Sequence, residues 1–136
     1  MPALRRTSSA KRLGVLAAAV FAVAAYASSV GEAAELVMFE EDGCVWCERW
    51  LTEVGPVYAK TEEGARAPLR QVDIHDRRPK DLANIKPWPV FTPTFVLLDD
   101  DGAEVGRVVG YPGEDLFWWI LSEPMKILGV DPAAGS

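Results

Sequence analysis

A short apolar segment, "ELVMFE" (Glu35–Glu40), runs through two acids and a glycine into "CVWC", and there the hydrophobic pattern changes period. Cys44 and Cys47, then Trp50–Leu51, Val54 and Val57–Tyr58, recur at three- and four-residue spacing, as on one face of a helix. These are the only two cysteines among 136 residues, and they stand where a strand candidate hands over to a helix candidate. That placement restricts fold and chemistry together.

The rest of the chain supplies the partners such a pair of elements needs. Gly55-Pro56 should kink or break the first helix, and "TEEGARAP" (Thr61–Pro68) reads as a loop. "LRQVDI" (Leu69–Ile74) alternates as a second strand. "DRRPKDLANI" is a short helix candidate with Asp76 as its cap, followed by the Pro-rich loop "KPWPVFTP". "TFVLLD", the turn "DDDG" and "AEVGRVVGY" form a hairpin, and "EDLFWWILSEPMKILG" is a closing helix interrupted near Pro124. The Asp99–Asp101 run is a solvated turn, since the other ligands of a calcium loop are missing. The order strand, helix, strand, helix, strand, strand, helix predicts an α/β fold with a central sheet between helices on two faces.

The N-terminal third stands apart from this core. "MPALRRTSSAKR" carries four basic residues and no acid, and Leu13 to Val30 is an unbroken run of apolar and small residues. A basic start, an apolar stretch and small-residue cleavage sites after Ala27 or Ala33 make a secretory signal peptide. The expected division is residues 1–33 as signal peptide and 34–136 as one domain. An uncleaved anchor is the alternative, because 18 apolar residues just suffice to span a bilayer. Cleavage after Ala27 lowers the 14 Lys and Arg to 10 while all 20 acids remain, about −10 in net charge. So acidic a domain has no electrostatic footprint for nucleic acid. Export also implies an oxidising compartment, the periplasm, where a cysteine pair can close.

Several chemistries use two cysteines. Attachment of c-type haem needs a histidine directly after the second one, and residue 48 is Glu. Structural zinc needs four ligands, whereas only His75 is available to join the pair, leaving copper(I) on two soft thiolates as the metal alternative. A purely structural disulfide closing so short a loop would remove little entropy from the unfolded chain. A redox pair has a mechanism: a cysteine in the first helical turn meets unpaired N–H groups and the positive end of the helix dipole. Both favour the thiolate, which is the attacking species. Cys47, three residues on, faces the same side. Cys44 is thus the expected nucleophile and Cys47 the resolving thiol.

With "GCVWC" after a strand and "FTPTFVLLDDDGAEVGRVVGY" as a later hairpin, the chain resembles thioredoxin-fold thiol:disulfide oxidoreductases from about Glu35 to Leu128. "CVWCERW", "APLRQVDI", "TPTFVLLDDDG" and "GYPGED" resemble more narrowly the SoxS-type periplasmic thioredoxins of sulfur-oxidation gene clusters. The resemblance implies a central mixed sheet with helices on both faces. It implies a cis bond at Thr92-Pro93, turning the Thr92 backbone toward an extended partner segment that adds like a strand, and a groove rim at Gly110. Val45 and Trp46 complete the expected groove, and Trp46 is read equally as a partner contact or as folded back on the domain. One of Trp118 and Trp119 should be core, and His75 an incidental surface residue.

The sequence also departs from that family. The acid often buried six residues before the first cysteine is Met38 here, with Glu40 and Glu41 as candidate substitutes. The residue before the pair is Gly43, and no proline stands inside it. Neither Val45 nor Trp46 is cationic, while Glu40, Glu41, Asp42 and Glu48 disfavour a thiolate. The expectation is an exported reductase acting on a protein disulfide. It is a monomer without cofactor or metal, recharged, as the family implies, by a membrane electron donor of the DsbD or CcdA type. A copper(I) carrier or a chaperone-like binding protein on the same fold is the alternative.

Overall fold

The computed structural model describes residues 33–131. The expected signal peptide therefore lies outside the described residues except for Ala33. The elements are β1 (Glu35–Glu40), α1 (Val45–Glu53), α2 (Gly55–Tyr58), α3 (Glu62–Arg66), β2 (Leu69–Asp73), β3 (Thr94–Leu98), β4 (Glu104–Val109) and α4 (Glu114–Ile127). They build one four-stranded sheet in the order β2-β1-β3-β4. β1 runs parallel to β2 and antiparallel to β3, and β3 pairs antiparallel with β4, so the sheet is mixed.

β1 is central, and its residues 36–39 are all buried because both faces of the sheet are covered. Successive side chains on a strand point to opposite faces. Leu36 and Met38 enter one core with Trp50, Phe95, Phe117, Leu121 and Met125, under α1 and α4. Val37 and Phe39 enter the other, with Val72, Leu82, Ile85, Val96 and Leu98. Trp50 anchors the first core, its ring 4.8 Å from that of Phe95 and 5.4 Å from that of Phe117. Trp118 stacks on Tyr58 while Trp119 is exposed, so of that adjacent pair one packs inward.

Three local expectations are corrected. The Thr61–Pro68 stretch is a helix over Glu62–Arg66: the Thr61 hydroxyl accepts from Gly64 N–H at 3.1 Å, and Glu62 and Glu63 lie at the positive end of the dipole. The Asp76–Ile85 stretch holds only a single 3-10 turn, Lys80–Leu82, with Pro79 rather than Asp76 at its cap. Pro79 has no N–H to donate and disfavours helical backbone at Arg78, so a helix begun at Asp76 does not pass it. Pro124, in contrast, lies inside α4 without interrupting it. The Gly55-Pro56 break does occur, between α1 and α2, and the hairpin turn closes as two N–H groups, of Asp101 and Ala103, donate to Asp99 Oδ1. No helix of the described residues is long and apolar enough to cross a membrane.

Candidate active site

β1 delivers the chain to the upper edge of the sheet, where Gly43 (φ 76°) turns it into α1. Cys44 is the N-cap of that helix, in extended backbone conformation, and its Sγ accepts a hydrogen bond from Cys47 N–H at 3.1 Å. A donor aimed at that sulfur, together with the dipole of α1, favours negative charge on it. Cys44 and Cys47 are joined as a disulfide, S–S 2.07 Å and Cα–Cα 5.2 Å. The two sulfurs are not equivalent: Cys44 is half-buried at the surface, whereas Cys47 is 3% exposed. Val45 and Trp46 between them are exposed, and the Arg49 guanidinium lies 5.6 Å from the Trp46 ring centre.

The Thr92-Pro93 peptide bond is cis, as expected, and the Lys86-Pro87 bond in the same loop is cis as well. Hydrogen bonds join the expected site residues. The Thr92 hydroxyl donates to Glu41 Oε1 at 2.6 Å, Glu41 in turn accepts Cys44 N–H through its main-chain oxygen at 3.2 Å, and Gly110 N–H donates to Pro93 O at 2.7 Å. Gly110 has φ 81°, a backbone that a side chain would strain. Just beyond it, the Tyr111 hydroxyl donates to Glu53 Oε2 at 2.7 Å, and Arg49 Nε pairs with Glu53 Oε1, tying this rim to α1. Val90 and Phe91, immediately before Thr92, are 73% and 68% exposed. Sequence reading passed over them, although two large apolar residues between loop prolines are an available signal for a contact surface.

Both cysteines line a cavity of about 170 Å³ together with five acidic residues, Glu40, Glu41, Asp42, Glu48 and Asp73. Met38 is fully buried in the apolar core, so the acidic residues that share the cavity with the cysteines come from the sheet edge, the loop after β1 and the first turn of α1. Glu40 accepts from Gln71 Nε2 at 3.2 Å. Glu41 also pairs with His75, Nε2 to Oε2 2.8 Å, and the hydrogen bonds from Thr92 and His75 hold its carboxyl below the usual range. The same bond raises the His75 imidazole. His75 is exposed, as expected, and its surface position brings it to Glu41. An accessible sulfur over a buried one, beside a loop that presents apolar side chains, can carry out thiol–disulfide exchange with another protein.

Residues 24–123 match the thioredoxin-like domain family. Among solved structures, the chain is similar to the periplasmic thioredoxin SoxS from Paracoccus pantotrophus in its reduced form. The identity is 42% and the TM-score 0.61, over 71% of this chain and 96% of that one. The DsbH oxidoreductase is similar in fold, at 18% identity and TM-score 0.50 over 71% of this chain and 74% of that one. A comparison with curated protein sequences gave no match.

Proposed function

Because this chain belongs to the thioredoxin-like family and is a thiol:disulfide oxidoreductase of that kind, we propose that it works in the periplasm as a reductase. On this reading residues 1–33 are a cleaved signal peptide and residues 34–136 a monomeric domain. The reduced protein binds an extended, disulfide-bearing segment of a partner against Val45, Trp46, Thr92, Pro93 and Gly110. The Cys44 thiolate attacks the partner's disulfide, forming a mixed disulfide and expelling one partner thiolate. The Cys47 thiolate then attacks Cys44 Sγ and releases the second partner thiol. Two electrons have passed to the partner, and the Cys44–Cys47 disulfide is the product left on the enzyme.

The observation that carries the direction is the set of five acidic residues among those lining the cavity beside the two cysteines. A pair oxidises strongly when its reduced form is stabilised as a thiolate. Here the helix dipole, worth about 0.3–1 kcal/mol per group, acts against several negative charges that raise a thiol pKa. The reduced pair is therefore weakly stabilised and gives up its electrons readily. Similarity to the SoxS thioredoxin supports a role in keeping a carrier-protein cysteine reduced during sulfur oxidation, with a membrane donor of the DsbD or CcdA type returning the electrons.

Equilibration of residues 34–136 with a thiol buffer tests the direction. A potential near the −270 mV of thioredoxin is expected, whereas one near the roughly −120 mV of the strong periplasmic oxidant would make the protein a disulfide donor.

A further inference from the structure

Glu41 is the point at which three separate loops meet. Its main-chain oxygen accepts Cys44 N–H, its Oε1 accepts the Thr92 hydroxyl at 2.6 Å, and its Oε2 lies 2.8 Å from His75 Nε2. Thr92 is 51 residues away and His75 34, so the contact is made only by the fold. Among the described residues, Thr92–Glu41 is the one hydrogen bond tying the Val90–Pro93 segment to the cysteine loop. The other bonds there run elsewhere: Thr94 Oγ1 to Phe91 O, Gly110 N to Pro93 O, and Arg107 Nη1 to Pro87 O.

We propose that Glu41 is a positioning residue: its carboxylate fixes the Thr92-Pro93 loop at the distance from Cys44 that an extended partner chain requires. This inference rests on the groove reading given above. Hydrogen bonds to an ionised acceptor are among the stronger ones in proteins, and this carboxylate is held ionised by both its side-chain partners. With Thr92 anchored through its side chain, its backbone is turned to the partner. Val90 and Phe91 are exposed between the buried Pro89 and Pro93, so these two side chains add no packing that would set the segment's distance from the cysteine loop. Loss of Glu41 therefore removes the tie between this segment and the cysteine loop without altering either cysteine. The consequence is selective. A partner long enough to lie on Thr92 while its sulfur meets Cys44 needs the loop in place, whereas a small disulfide needs Cys44 alone.

The test compares two neutral substrates with the reduced protein: bis(2-hydroxyethyl) disulfide, and a ten-residue peptide whose central cysteine carries the same 2-hydroxyethylthio cap. In both, the cap thiol is released as the Cys44–Cys47 disulfide forms, and the readout is the ratio of the two second-order rate constants. Any change in Cys44 thiolate character affects both substrates and cancels in that ratio. Glu41→Ala is expected to lower it about tenfold, the scale of one charge-assisted hydrogen bond. Thr92→Val, which removes only the donor, should match it, and Glu41→Gln, whose amide oxygen still accepts from Thr92, should retain most of the wild-type ratio.

An unchanged ratio in Glu41→Ala and Thr92→Val overturns the proposal, as does a Glu41→Gln variant no better than Glu41→Ala. Should Glu41→Ala fail to fold, the Thr92→Val and Glu41→Gln pair decides alone. A wild-type protein showing no preference for the peptide would sink the groove reading itself, and that failure is visible before any variant is compared.

Discussion

Gly106 on β4 and Pro124 within α4 are fitted to one another: a Cβ built on Gly106 would lie 2.4 Å from Pro124 Cβ and 2.6 Å from its Cγ. Pro124 removes one helical hydrogen bond, yet α4 continues past it. Its ring instead fills the space that a strand residue without a side chain leaves on the sheet. Gly106→Ala therefore forces the helix and sheet apart, and the expected cost is about 1–3 kcal/mol, the usual range for overpacking. Denaturant unfolding of Gly106→Ala, Pro124→Gly and the double variant, in which neither Pro124 Cβ nor Cγ remains to meet the new methyl group, checks this. The double variant should recover much of the loss, because residues in contact couple. Simple additivity would mean that the two do not bear on each other.

That pair also explains what could be read from the chain. Features whose cause is local were legible. The change of period at Cys44, the Asp99–Gly102 turn and the break at Gly55-Pro56 each follow from residues a few positions apart. Where a distant element decides the outcome, local reading failed. Pro124 looks like a helix end until Gly106 is seen beneath it. The site divides in the same way. The cysteines and the Thr92-Pro93 bond were visible as motifs, whereas the Glu41–Thr92 and Glu41–His75 contacts span 51 and 34 residues and leave no pattern in the sequence.

Tyr58 should matter through its hydroxyl. It is 1% exposed, and its O–H donates to Ala67 O at 2.6 Å, fastening the end of α3 to the core. Tyr58→Phe keeps the ring stacked near Trp118 but leaves a buried carbonyl without that donor, which costs about 1–3 kcal/mol. Thermal or urea unfolding measures the loss. A variant as stable as wild type would mean that water replaces the bond.

The unequal burial of the two sulfurs predicts unequal trapping. Cys47→Ser leaves Cys44 able to attack but removes the thiol that resolves the product, so mixed disulfides with partner proteins should accumulate on non-reducing gels. Cys44→Ser should trap nothing above background, since Cys47 is 3% exposed. The reverse pattern would invert the assigned order of attack.

The Glu41–His75 pair gives a pH signature that can be read directly, because His75 is the only histidine in the chain. The bond to Glu41 raises its imidazole above the ordinary 6.5, and bonds from Thr92 and His75 lower the Glu41 carboxyl below 4.5. The two signs define a window. A raised histidine contributes stability that is complete below 6.5 and lost as pH rises through its folded value. A lowered carboxyl contributes stability that is present above 4.5 and lost as pH falls through its folded value. The difference in stability between wild type and His75→Ala should therefore be greatest between about pH 4.5 and 6.5 and fade on either side. It should be small throughout and weaken with salt, since the imidazole side chain is 71% exposed and solvent screens the pair. An NMR titration of the single imidazole is the sharper measurement. Its midpoint should lie above 6.5 in the wild type and move back toward 6.5 in Glu41→Gln. Equal midpoints in the two proteins would show that Glu41 does not hold His75 in solution, leaving Thr92 as its long-range partner among the described residues.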